Sequence, residues 1–189
     1  MIILVRHGRT ASNAAGLLLG RADPPLDETG QAQAEAVGRA LGKADLVVTS
    51  PLRRCRETAA AIDGPVQVDD RFIELDYGEW DLQAIGSLPP GSWEAWQADL
   101  SFSPPGGESL AEVGLRVRSA LDELVEQART TKVVVVTHVS PLKAGVAWAL
   151  GVGDEVAWRL FVSPASVTRI DVSRGRPSLV SYNELAHLA

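Results

Sequence analysis

Two of the chain's three histidines stand directly behind apolar runs. Ile2 to Val5 leads straight into Arg6, His7 and Gly8, and Val133 to Val136 leads through Thr137 into His138. A third run, Leu46-Val47-Val48, precedes Thr49-Ser50-Pro51-Leu52-Arg53-Arg54, so arginines gather behind it as well. These residue types suit one task in particular. A guanidinium is a planar fork of N–H donors matched to phosphate oxygens, and an imidazole either donates a hydrogen bond or attacks as a neutral nucleophile. Brought together, they would hold a phosphoryl group and counter the charge that develops on it during transfer.

For these residues to meet, the runs before them must be strands whose ends share one edge of a sheet. Each run is short, continuously apolar and rich in β-formers, the pattern of a strand buried on both faces. Weaker strand signals lie at 66–68, 167–172 and 179–182. Between them, Glu28 to Leu41 reads as an amphipathic helix with Ala36, Val37, Ala40 and Leu41 on its apolar face. Arg53 to Ile62 reads as another. Ser109 and Glu112 form an S-x-x-E capping box, followed by an apolar stripe of Leu110, Val113, Val117, Leu121, Leu124 and Ala128. Strands alternating with helices predict an α/β fold, a three-layer sandwich with a mostly parallel central sheet. In such sheets ligands bind beyond the carboxyl ends of the strands, where the arginines and histidines fall.

With 189 residues, 46% of them hydrophobic, the chain suits one substantial core, so 1–189 reads as a single domain. A formal charge of −6 argues against a nucleic-acid surface while leaving room for a local basic pocket. Cys55 is the only cysteine, which excludes an internal disulfide and a thiolate zinc cluster and suits a reducing compartment. No signal-peptide pattern opens the sequence. The most apolar later stretch, VSPLKAGVAWALGV, carries Lys143 and two glycines and falls short of the ~20 residues of a membrane span. These features predict a soluble cytoplasmic protein with no membrane association, and leave monomer and homodimer both open.

Nearly the whole chain resembles the histidine phosphatase superfamily, the phosphoglycerate mutase-like proteins. Arg6-His7-Gly8 is similar to the family's RHG signature, and Thr10, Asn13, Gly20, Asp23, Pro25-Leu26 and Gly30 continue its usual pattern. Ser50, Leu52, Arg54, Thr58 and Ala59 resemble its SxLxRAxxTA segment, which selects Arg54 over Arg53. Glu74, four residues before Gly78, resembles the family's proton donor; Asp76, Glu79 and Asp81 are its rivals on spacing alone. Pro105-Gly106-Gly107-Glu108-Ser109 matches a PGGES segment, Thr137-His138 the second histidine motif, and Asn183 to Leu188 a recurrent ending. The segment at about 80–108 reads as a cap-like insertion.

The resemblance implies a metal-independent phosphoric monoester hydrolase that needs no cofactor and acts on a small phosphorylated metabolite. His7 would form a phosphohistidine, Arg6, Arg54 and His138 would clamp the phosphoryl oxygens, and Glu74 would protonate the leaving alkoxide and then activate water. Arg9, Thr10, Asn13 and Gly20 join Arg6, Arg54 and His138 as expected substrate-binding positions. A compact chain with an apolar 80–108 segment favours a phosphatase over a primer-dependent mutase, and both histidines, Arg6, Arg54 and an acid together argue against a non-catalytic phospholigand-binding protein. The stretch His138-Val139-Ser140-Pro141-Leu142-Lys143 resembles small acid phosphatases and the α-ribazole phosphatase type. Trp80, Trp93 and Trp96, with Leu17, Leu18 and Leu19, form either an apolar substrate mouth or ordinary cap packing. Three positions depart from the usual pattern. Arg9 replaces an acidic or amide residue, Ser12 an aromatic, and Asp81-Leu82 a Glu-Gly pair; Arg9 would add a cation at the pocket mouth.

Overall fold

The computed structural model describes all of residues 1–189. In chain order its main elements are β1 (Ile2–Arg6), α1 (Ala11–Ala14), α2 (Glu28–Leu41), β2 (Leu46–Thr49), α3 (Arg53–Ala59) and β3 (Val66–Val68). They continue with α4 (Ser92–Ala98), α5 (Leu110–Ala128), β4 (Val133–Thr137), α6 (Val139–Leu150), β5 (Val167–Asp171) and β6 (Ser178–Glu184). One six-stranded sheet has the order β3-β2-β4-β1-β5-β6. The first four strands run parallel, and β5 and β6 add an antiparallel edge.

The apolar runs become central strands because both faces of the sheet are covered. Successive strand residues point to opposite faces, so each valine-rich run feeds two cores. Ile2, Leu4, Val133 and Val135 pack with Val117 and Leu121 of α5 and Leu142 of α6. Ile3, Val5, Val134 and Val136 pack on the other side with Val37 and Leu41 of α2 and Cys55 and Ala59 of α3. The result is the three-layer α/β sandwich that the alternation of elements implies.

Local signals set most boundaries. Ser109 caps α5 in a reciprocal box with Glu112, and Asp27 caps α2 by accepting from Gly30 N. α3 stops at Ala59, short of the expected Ile62, and the chain turns through Gly64. There φ is +152° and a Cβ would lie 2.6 Å from the Ala44 carbonyl oxygen, so glycine is required. α6 carries no amphipathic stripe because most of its surface is buried, which is why periodicity does not reveal it. Pro141 sits in its first turn, where no backbone N–H is needed, and Gly151 closes it in the left-handed conformation. No helix is long and apolar enough to cross a membrane.

Candidate active site

Strand register brings the two histidines together. β1 and β4 are parallel neighbours with Arg6 opposite Thr137, so His7 and His138 leave the same edge side by side. Their ring centroids are 5.1 Å apart at an interplanar angle of 62°. β2 flanks β4 with Thr49 opposite Val136, which places Ser50 beside His138 and starts α3, with Arg54 in its first turn.

His7 is 2% exposed, and its Nδ1 lies 2.7 Å from the Gly8 carbonyl oxygen. A carbonyl only accepts, so Nδ1 carries the proton and Nε2 keeps its lone pair. Burial, then the charges of Arg54 and Arg6, hold the His7 pKa well below the ordinary histidine value. The imidazole is therefore neutral at neutral pH. Gly8 lets the turn pack closely, since a Cβ there would stand 2.4 Å from the Gly30 carbonyl oxygen. Thr58 Oγ1 anchors the same turn by accepting from Gly8 N at 3.0 Å and donating to the Arg54 carbonyl at 2.8 Å.

Arg6 donates Nη1 to the Val162 carbonyl at 2.6 Å, while its buried Nε has no partner. Burial lowers its pKa to about 10, which leaves the guanidinium charged at neutral pH. The 162–166 loop that receives Arg6 is pinned by the chain's end. Asn183 Oδ1 accepts from Ser163 N at 2.8 Å, and His187 Nε2 bonds the Ala165 carbonyl at 2.9 Å.

Arg54 is fully buried beneath the histidines. It donates to the Gly20 and Ala22 carbonyls, each at 2.8 Å, and through Nε to His138 Nδ1 at 3.2 Å. Arginine cannot accept, so His138 Nδ1 is the acceptor and its Nε2–H points to Ser50 Oγ at 2.7 Å. Burial and the nearby arginines hold the His138 pKa well below its usual value. Gly20 fits tightly, since a Cβ would stand 2.9 Å from the Leu75 carbonyl oxygen and from the Tyr77 ring. Cys55 is a buried thiol whose pKa burial pushes upward, so it packs as a neutral group.

Glu74 is 3% exposed and accepts three backbone N–H groups. Oε1 takes those of Leu75 (2.8 Å) and Ser140 (3.1 Å), and Oε2 takes that of Val139 (3.0 Å). Only Oε2 retains a free lone pair for a proton. The rival carboxylates have other partners. Asp81 accepts from Gly20 N and Ala22 N, both at 2.8 Å, and so holds the strip whose carbonyls hold Arg54. Asp76 accepts from Gly78 N at 2.9 Å, and Glu79 is exposed. Gly78 has φ +51°, and a Cβ there would stand 2.1 Å from the Pro105 carbonyl oxygen. The Pro105–Ser109 segment thus seats the loop that carries Glu74.

Comparison with known proteins agrees with this geometry. A family model described as histidine phosphatase superfamily (branch 1) matches residues 2–185. The chain belongs to this superfamily. It is 32% identical over 199 residues to phosphoserine phosphatase 1 of Hydrogenobacter thermophilus, covering 99% of this chain and 93% of that protein. An Entamoeba histolytica phosphoserine phosphatase mutant in complex with phosphoserine superposes with a TM-score of 0.92 at 25% identity, covering 100% of this chain and 98% of that one. A mycobacterial glucosyl-3-phosphoglycerate phosphatase complexed with VO3 gives a TM-score of 0.88 at 29% identity, with 97% and 99% covered. The chain spans about half (54%) of the length of the mycobacterial relatives that it matches at 35% identity, one of which, from Mycobacterium tuberculosis, is named a bifunctional protein.

Within this histidine phosphatase fold, a cavity of about 300 Å³ opens over His7, with Arg6, Glu74 and Asn13 in its wall. Arg54 and His138 lie behind that wall. Thr10 is buried and caps α1, fixing Asn13 through a reciprocal pair of hydrogen bonds. Gly20 acts through its backbone, and neither Thr10 nor Gly20 faces the cavity. Arg9 is likewise outside. Its Nε bonds Asp27 at 2.8 Å and its Nη2 bonds Thr29 Oγ1 at 2.8 Å, so it supplies no cation to the mouth as the sequence suggested. Trp93 and Trp96 line the cavity with Leu17, Leu18 and Leu19, whereas Trp80 packs behind Trp96 at 5.8 Å.

Residues to which the sequence reading gives no site role complete the wall. Lys143 lines the cavity from α6, Trp158 from the 3-10 helix Asp154–Arg159, and Phe161 from the loop before β5. Their signal was available only as pattern. Lys143 follows His138 by five residues, and Trp158 and Phe161 are large aromatics in an otherwise unassigned loop. Arg116 was also missed. It bonds the Arg71 carbonyl at 2.6 Å, the Glu74 carbonyl at 3.3 Å and Glu108 at 2.8 Å, tying the Glu74 loop to α5.

Proposed function

We propose that the protein is a phosphomonoesterase that hydrolyses small organic phosphate esters through a phosphohistidine on His7. The observation that carries this reading is a neutral His7 whose Nε2 is free, beside an Arg6 Nε–H without a partner. His7 Nε2 attacks phosphorus, the bond to the leaving oxygen breaks, and Glu74 Oε2 gives that oxygen its proton. Water then attacks the phosphorus, Glu74 takes its proton, and the P–N bond breaks to restore His7. Arg6 binds the phosphoryl oxygens directly. Arg54 keeps one N–H on each Nη nitrogen beyond those given to Gly20 and Ala22 and adds positive potential from below, while neutral His138 accepts from its Nε and holds it in place.

The phosphatase names and bound phospho-metabolite of the superposed structures and relatives support hydrolysis of a small phosphorylated metabolite. The single buried cysteine supports a reducing compartment such as the cytoplasm. The test is release of inorganic phosphate from a panel of phosphomonoesters without a bisphosphorylated primer. His7→Ala is expected to lower kcat by at least about 10³-fold. Primer dependence would favour a mutase, and undiminished turnover in His7→Ala would remove His7 as nucleophile.

A further inference from the structure

The cavity wall has an unbalanced set of polar groups. Of its 20 residues, 14 are hydrophobic, and Glu74 is its one carboxylate. That carboxylate already accepts from three backbone N–H groups. Facing it is Lys143, which has no hydrogen bond and no ion pair. Burial lowers the Lys143 pKa, followed by opposing influences of Glu74, which raises it, and Arg6, which lowers it. The ammonium is thus partly stripped of water without a partner to replace it, a cost that an anion would offset. The indole N–H groups of Trp96 and Trp158 are also without partners, but they are buried within the wall, so Lys143 is the free donor that a ligand can reach.

Lys143 is thus a cation in the wall beyond the Arg6 and His7 that a phosphoryl group would engage. Arg6 and His7 mark the phosphate end. Lys143 stands one turn of α6 beyond Val139, about 6 Å along the helix axis, with Trp93, Trp96 and Trp158 nearby in the wall. Arg9 cannot serve as the second cation, because Asp27 engages it outside the cavity. Building on the phosphatase reading above, we propose that Lys143 selects phosphate monoesters whose leaving group pairs an apolar body with a carboxylate. An amino group on that leaving group is disfavoured, since it meets the like charge of Lys143 and a carboxylate whose oxygens are largely occupied. Phosphoserine is therefore a poor substrate for this chain.

The test compares kcat/KM for benzyl phosphate, 3-carboxybenzyl phosphate and phosphoserine, in the wild type, Lys143→Met and Lys143→Arg. The wild type is expected to prefer 3-carboxybenzyl phosphate to benzyl phosphate by about tenfold, the scale of one charge-assisted hydrogen bond. Lys143→Met should bring that ratio near one, and Lys143→Arg should restore most of it. Phosphoserine should trail the carboxylated ester in the wild type. A wild-type ratio near one, a ratio unchanged in Lys143→Met, or phosphoserine matching the carboxylated ester would each overturn the proposal. His7→Ala on benzyl phosphate reads the underlying mechanism separately. Turnover that survives this substitution sinks the His7 mechanism, whereas His7-dependent turnover without carboxylate preference sinks only the Lys143 inference.

Discussion

Burial, Arg54 and Arg6 act on His7 in one direction, each disfavouring the imidazolium, so the proposed nucleophile stays neutral below the ordinary histidine pKa of ~6.5. The same turn that buries the ring gives Nδ1 a carbonyl and leaves Nε2 without a hydrogen-bond partner, as the proposed attack requires. Glu74 has the complementary constraint: three backbone donors leave a single lone pair, on Oε2, for the proton that the proposed mechanism places there. Glu74→Gln is accordingly expected to cut kcat about 10²–10⁴-fold on esters of ordinary alcohols, whose alkoxide needs that proton. With 4-nitrophenyl phosphate, whose leaving phenolate is stable, the loss should be much smaller. Equal losses on the two ester types would remove Glu74 from the role of acid. Arg9 shows how far residue type alone can mislead. As a departure beside the RHG motif it suggested a second cation for the substrate, but Asp27 and Thr29 lie within its reach and hold it outside the cavity.

At the scale of elements, His7 and His138 stand at strand ends and Arg54 at the start of a helix, Glu74 stands in a loop, and short segments fix them from behind. Asp81 holds the 20–22 strip, that strip holds Arg54, and Arg54 holds His138. The substitution of Asp81-Leu82 for the usual Glu-Gly pair has a cost in this loop. Leu82 has φ +62°, the left-handed region in which glycine alone is unstrained, and it is 47% exposed, so its side chain loses little on removal. Leu82→Gly is expected to stabilise the protein by about 1 kcal/mol, as relief of the Cβ clash outweighs the added freedom of the unfolded chain. Urea unfolding measures it, and a lower midpoint would show that the Leu82 side chain contributes more than the strain costs. α6 was the least legible element in the sequence. Its all-round burial erases the stripe that identifies α2 and α5, and with it the cue that Lys143 faces the cavity.

For the whole molecule, the cationic pocket makes stability depend on pH in a defined window. The folded-state pKa values of His7 and His138 lie below the unfolded value of ~6.5, so below that pH the unfolded chain binds protons that the folded chain does not. Stability from these groups is complete above pH ~6.5 and falls as the pH drops toward their folded values. Thermal melts should therefore show a midpoint that declines from pH 7 to pH 5, and His7→Ala should flatten that decline by removing one of the two groups. An identical decline in the variant would assign the effect elsewhere. The sequence by itself determined the central strands, the helices with stripes or capping boxes, and the order of residues behind each strand. These are local properties, set by side-chain periodicity and hydrogen bonds between near neighbours. The RHG and Thr137-His138 segments were legible for the same reason, since a strand end is a local event. Only the tertiary structure decided that β1 and β4 pair in the register that sets His7 beside His138. It alone also freed Lys143 while tying up Arg9, because which charges find partners depends on segments far apart in the chain folding against one another.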